Sequence, residues 1–398
     1  MNGKQLGILL GLVIVIGGGG LLIYKKQGSS WGTSDASGHK LLGEFQINDV
    51  SKITVKHGTN ELNLVKKNDL WCVRERNDYP ANFGDISKLL IKLRDLKSAQ
   101  TEQVGASQLG RLELNPSSTG SNAATLVELQ DGGGKVIKSL LLGKKHMSKP
   151  SRQSQFGDMD NEGWPDGRYV MTDTGSDKVH LISDVLSEIE PKPENWLSKE
   201  FFKIEKVRSI AVTFADATNS WRLTRDSETS EWKLADAKPA EKLDTSKTTS
   251  LSNPLSSPSF NDVISGLTPN QTGLDQPTLA SLSTFDGLEY TIAIGTKTNE
   301  DYFLTVALDG SFSKERKPGS EEKPEDKSRL DKEFAESLKK LEDKLAAEKT
   351  FGKWIYRVSS WTVDSILKKR GELLEDKKIE TTTDSSSIPK PEDTPSAQ

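Results

Sequence analysis

One loop carries oxygen donors at the spacing of a calcium site. Asp158-x-Asp160-x-Glu162-Gly163 places carboxylates at loop positions one, three and five and glycine at six, and Asp166 falls at nine. This is the first half of an EF-hand-type loop. The twelfth position, which should supply a bidentate carboxylate, is Tyr169, and no incoming helix follows. Without the strongest ligand, the expectation is a solvated acidic loop, with calcium as the alternative. The four histidines (His39, His57, His146, His180) form no close metal-binding pair. His180 lies among Val179, Leu181 and Ile182 and reads as a packed or capping residue rather than a base. The lone Cys72 rules out an internal disulfide and a cysteine-based structural zinc site.

Two catalytic patterns match only in form. Gly28-Ser29-Ser30-Trp31-Gly32 has nucleophile-elbow spacing, but that motif needs a strand before it and a helix after it. Here an apolar span precedes and a polar linker follows. Gly132-Gly133-Gly134-Lys135 suggests a phosphate loop, yet Leu129 and Val136 stand where glycine and a hydroxyl residue are required. None of the 58 carboxylates forms a pair in an apolar setting that would mark it as an acid or base. No cofactor motif is read, and the expectation is a protein that is not an enzyme.

The elements that position these residues are organised by an internal repeat. Phe45, Ile47, Val50, Ile53 and Val55 recur as Phe202, Ile204, Val207, Ile210 and Val212, each 157 residues later. Trp71 and Trp232 are equivalent positions in the two copies, most simply hairpin-packing residues, with ligand stacking as the alternative. In the first copy, three strand-like runs (Ile53-x-Val55, Leu62-x-Leu64, Leu70-Trp71-x-Val73) precede a helix from Asp85 to Leu96. A hairpin turning at Asp131-Gly132 follows, then a strand over Gly167–Met171 and a helix over Val179–Ile189. The second copy repeats this order, with an irregular Ser246–Phe260 in place of the helix because Pro254 and Pro258 interrupt it. Gly352–Tyr356 matches Gly167–Val170, and Val363–Leu374 the helix after it. A helical insertion opens at Pro324, with Leu330, Phe334, Leu338, Leu341 and Leu345 forming a stripe that should pack on the domain itself.

Leu6 to Tyr24 is 19 residues without a charge, flanked by Lys4 and Lys25-Lys26. About 20 helical residues cross a bilayer core. No cleavage pattern follows, so a retained anchor is expected. Gly3, Gly7 and Gly11 fall four apart and could let two such helices approach as a homodimer, although glycine is common in membrane helices. The organisation expected is an anchor (1–26), a flexible linker (27–40), an α+β repeat (41–196), and a second α+β repeat (197–376) with its insertion (314–350). A disordered tail (377–398) follows. Only 33% of residues are hydrophobic, and the mean hydropathy of −0.57 agrees with long linkers and a polar tail. A net charge of −4 gives no electrostatic case for nucleic acid.

The anchor, the Trp71-centred hairpin, the run Tyr79-Pro80-Ala81-Asn82 before an Ile/Leu-rich helix, and the passage from Tyr169-Val170 to Trp196 resemble the domain of unknown function 4340 family. The likeness runs over about residues 41–374 and transfers no catalytic residue; the insertion departs from the shortest members. It implies a single-pass protein of the bacterial cytoplasmic membrane with an extracytoplasmic (periplasmic) body, working beside ABC-type or gliding-like transport subunits. The expected role is an accessory or scaffold protein. A glycan- or peptide-binding module feeding a transporter, or a cell-envelope hydrolase, are the alternatives.

Overall fold

A computed structural model describes residues 40–116, 120, 122–148, 163–172, 177–318 and 322–376. The expected membrane span Leu6–Tyr24, with Gly3, Gly7 and Gly11, lies outside these residues, as do the 28–32 motif and the tail from residue 377. No described helix is long and apolar enough to cross a membrane.

The protein is α+β, with two antiparallel sheets carrying helices. The contacts divide it into two units. The first runs to Glu200 and includes Asp262–Ser265, and the second holds Phe201–Asn261 and Gly266 onward.

The first unit's strands are β1 (Lys52–His57), β2 (Asn60–Lys67), β3 (Leu70–Val73), β4 (Tyr79–Pro80), β5 (Gln100–Gln103), β6 (Thr125–Gln130), β7 (Val136–Met147), β8 (Pro165–Met171) and β9 (Lys178–Ile182). Their order is β4-β3-β2-β1-β6-β7-β8-β9-β5. Alternating apolar residues set the register: Ile53 sits between Leu64 and Leu129, and Val55 between Leu62 and Val127. All six are essentially buried. Asp262 is held here by Arg76, whose Nε and Nη2 donate to its two carboxylate oxygens at 2.7 and 3.0 Å.

The second unit uses β10 (Val207–Thr213), β11 (Trp221–Thr224), β12 (Lys233–Leu234), β14 (Thr278–Thr284), β15 (Leu288–Thr298), β16 (Asp301–Gly310) and β17 (Ile355–Ser359), β13 being Asp262–Ile264. These pair in the order β12-β11-β10-β14-β15-β16-β17. Ile210 lies between Leu223 and Leu282 as Ile53 lies between Leu64 and Leu129. Nine of the ten repeat-defining positions are buried. The exception, Ile47, is half-buried.

Strand pairing and helix bounds correct three of the sequence expectations. Val179–Ile189 is not a helix: β9 occupies its first part, clamped between β8 and β5. Val363–Leu374 holds only one helical turn, Ser360–Val363, and a 3-10 turn, Arg370–Leu373. The counterpart of β8 is β16, not Gly352–Tyr356, because β14-β15-β16-β17 follows β10 as β6-β7-β8-β9 follows β1. The insertion therefore replaces the β8–β9 connection. Its helix, Pro324–Lys349, contacts β16, but the leucine stripe is only half-buried and Glu348 is the helix's one buried residue.

The helix of the first unit is Phe83–Arg94, and its N-cap is Asn82 rather than Asp85. The Asn82 side-chain oxygen accepts from the amides of Gly84 and Asp85 at 3.0 and 3.4 Å, and its Nδ2 donates to Asp85 at 2.7 Å. Asp85 works one turn in, near the positive end of the helix dipole. Ile86, Leu89, Leu90 and Leu93 form the buried face.

Candidate functional site

The same helix leaves apolar residues on its outer side. Phe83 is 66% exposed and Ile91 is 45% exposed. Beside it, the chain after β9 turns through Leu186, which has a left-handed backbone (φ +50°). That turn is held by the Leu186 amide donating to Asp184 at 2.9 Å. The chain then reaches a 3-10 turn, Pro193–Trp196. The Trp196 carbonyl accepts from the Asn82 amide at 2.8 Å, tying this passage to the helix start.

Between helix and passage lies a groove of about 660 Å³ lined by Asp85, Lys88, Leu89, Ile91, Lys92, Glu188, Asn195 and Trp196. Leu89, Ile91 and Trp196 supply its apolar surface. Trp196 is buried, and its indole N–H has no acceptor among the described residues. A buried donor without a partner is uncommon and calls for an explanation. Charged pairs form the rim. Lys92 donates to Glu188 at 2.6 Å and to Asp184 at 3.5 Å. The Glu188 bond, opposed in part by burial and helped by Asp184, raises the Lys92 pKa above its ordinary value. Lys88 meets Asp85 at 3.4 Å. The groove thus combines apolar residues with matched charged pairs.

The second unit holds a different cavity, about 510 Å³, around Trp232 and Arg225. Seven hydroxyl residues line it, Thr229, Ser230, Thr245, Ser246, Thr248, Thr249 and Ser252. Arg225 is buried, lies 4.7 Å from the Trp232 ring centroid, and donates to the carbonyls of Val207 and Glu228 at 2.6 and 2.8 Å. Burial lowers its pKa. In the first unit Lys66 faces Trp71 across the equivalent strand pair. Trp232 thus packs beneath a cation with a polar cavity beside it, whereas Lys66 opposite Trp71 is paired with Asp69 at 3.1 Å.

The other sequence candidates do not converge. Asp158, Asp160 and Glu162 lie outside the described residues. Asp166 instead bonds the His146 Nδ1 at 2.6 Å. His180 is packed between β8 and β5, with its Nδ1 2.9 Å from the Thr101 hydroxyl, and burial lowers its pKa. Burial raises the Cys72 thiol, which makes it a poor nucleophile. Among the described residues no cluster of three metal-ligating side chains forms. The groove was missed in the sequence because its walls come from residues 85–92 and 188–196. Only the Trp196 passage hinted at it.

Fold and groove together define an α+β protein made of two related antiparallel-sheet units, one of them bearing an apolar cleft with a charged rim. The chain belongs to the family described as Domain of unknown function (DUF4340), whose model matches residues 71–277. The match is narrower than the span read from the sequence, and it takes in both walls of the groove and both repeat tryptophans. No curated protein and no solved structure matches the chain.

Proposed function

We propose that this protein is a membrane-anchored accessory or scaffold protein of the bacterial cell envelope. Leu6–Tyr24 tethers it to the cytoplasmic membrane, and the folded body stands on the periplasmic side. The body holds a partner polypeptide, an amphipathic segment of a transport-complex subunit, in the groove beside Phe83–Arg94. The observation that carries this reading is the groove itself, lined by exposed Ile91 and buried Trp196 together with the Lys92–Glu188 and Lys88–Asp85 pairs. Apolar anchors inside a polar rim are what an amphipathic helix recognises.

The test combines topology with an interface variant. A compartment-sensitive reporter fused after Gln398 should report from outside the cytoplasm. Ile91→Glu places a charge on a side chain that is already partly exposed, so the fold should hold. The same substitution should reduce co-purification of a crosslinked membrane partner about tenfold, since burying an unpaired charge costs more than about 1.4 kcal/mol. A cytoplasmic reporter, or capture unchanged by Ile91→Glu, would defeat the proposal.

A second reading is favoured by the cavity at Trp232. Its hydroxyl lining and buried arginine suit a polyhydroxylated ligand such as a glycan, which would make the second unit a ligand-binding module. Saturable thermal stabilisation by an oligosaccharide, lost in Arg225→Gln, would support that reading.

A further inference from the structure

The last residues of β7 line a cleft that neither the groove nor the tryptophan cavity explains. Its volume is about 460 Å³, and its lining includes Arg111, Lys144, Lys145 and His146, with Gln108 and Tyr169. In a regular strand Lys144 and Lys145 would point to opposite faces. Here the pairing of β7 with β8 slips between Leu142 and Lys145 and again between His146 and Met147. These irregularities break the alternation and bring four consecutive residues, 144 to 147, around one cavity.

Arg111, Lys144 and Lys145 make no ion pair among the described residues. Among the described carboxylates nearby, Glu102 lines the cleft and accepts from Gln100 at 2.7 Å, Asp166 holds the His146 ring, and Glu190, already bonded to Lys192, also feels the charge of Lys145. Among the described lining residues Arg111, Lys144 and Lys145 stand against the single carboxylate Glu102, in a chain whose net charge is −4. Gathering like charges in one concavity raises their energy, and an anion relieves it.

The second unit shows that the frame alone does not require these charges. β15 carries the equivalent slip between Ile294 and Lys297, with Gly295 where β7 has Gly143. A Cβ on Gly143 would collide with the Leu112 carbonyl, and one on Gly295 with the Thr272 carbonyl, so both bulges pack against a short helical turn in the same way. There the residues are Thr296-Lys297-Thr298, and Lys297 rests 5.8 Å from the Tyr302 ring centroid. The bulge is duplicated, whereas the basic run belongs to the first unit.

We propose that this cleft binds a phosphate group carried by a larger ligand. Lysine and arginine supply charge-assisted donors to phosphate oxygens. The Asp166 bond engages Nδ1 of His146 and leaves Nε2 outside it. The cavity is larger than a bare phosphate, so the rest of the ligand has room. Two sources share this chemistry, an anionic lipid headgroup and a soluble phosphate ester. The inference is independent of the groove.

Full-length protein in neutral detergent would be titrated calorimetrically with pyrophosphate and, separately, with dihexanoyl phosphatidylglycerol as a monomer. At least one should bind saturably, and more weakly as salt rises. Lys144→Gln/Lys145→Gln should weaken binding at least tenfold, Arg111→Gln on a different element should weaken it too, and Lys297→Gln should leave it unchanged. Saturation by the lipid alone assigns the headgroup as source; saturation by pyrophosphate assigns phosphate by itself. Saturation by neither ligand would overturn the inference. So would wild-type affinity in either the double lysine variant or Arg111→Gln.

Discussion

Glu348 shows how a single side chain sets a pH response. It ends the long helix, buried, where the Tyr290 hydroxyl donates to it at 2.7 Å and the Lys203 amide at 3.3 Å. Lys344 stands 3.8 Å away, and Glu205 adds a like charge nearby. Burial raises the Glu348 pKa above its ordinary 4.5, more than the Tyr290 bond lowers it. Burial likewise raises the Tyr290 pKa, so the phenol stays protonated and remains the donor. A raised carboxyl binds more protons folded than unfolded, so its contribution is fully present below the ordinary value of 4.5 and is lost as pH rises through the shifted one. Glu348→Gln keeps the shape and an acceptor oxygen but cannot ionise. Its thermal midpoint should therefore fall less than wild type as pH rises from about 4.5 towards neutrality. Equal slopes in the two proteins would show that the shift has no energetic consequence.

Among elements, the strands were the most legible part of the sequence. Ile53, Val55, Leu62 and Leu64 alternate, and so do their second-copy counterparts, which is why the repeat can be read from five apolar positions. The errors arose where distant pairing decides. Val179 and Ile182 are three apart, as on a helix face, yet the segment is a strand because β8 and β5 lie on either side of it. The helix cap lies three residues before Asp85 because both Asn82 and Asp85 are capping types, and only geometry shows which one accepts the orphan amides. Neither the groove nor the phosphate cleft could be read locally. One is built from segments about a hundred residues apart, and the other depends on a bulge that sequence alternation does not announce. The duplicated bulge can be tested. Gly143→Ala should destabilise the first unit by about 1–3 kcal/mol, the usual cost of forced overpacking, as measured by urea denaturation. Gly295→Ala should do the same in the second. A neutral effect at both positions would mean that the short turns move aside freely.

For the whole molecule, the two units share a strand order but differ in the surfaces they present. The first has the apolar groove and the basic cleft; the second has the hydroxyl-lined cavity and the long inserted helix with its half-buried stripe. Duplication supplied two copies of one frame, and each then diverged at different places. The proposed partner groove lies in the first unit, so the test of partner binding belongs there. The decisive measurement is crosslinking in living cells from a photoreactive residue at position 91, with position 361 as control, since Trp361 is also exposed (63%) but lies in the second unit. A discrete adduct with a membrane-protein subunit from position 91, missing from 361 and abolished when Lys88 and Lys92 are both reversed to glutamate, is the predicted result. No adduct from 91 beyond that from 361 would contradict the claim that the groove is where this protein holds its partner.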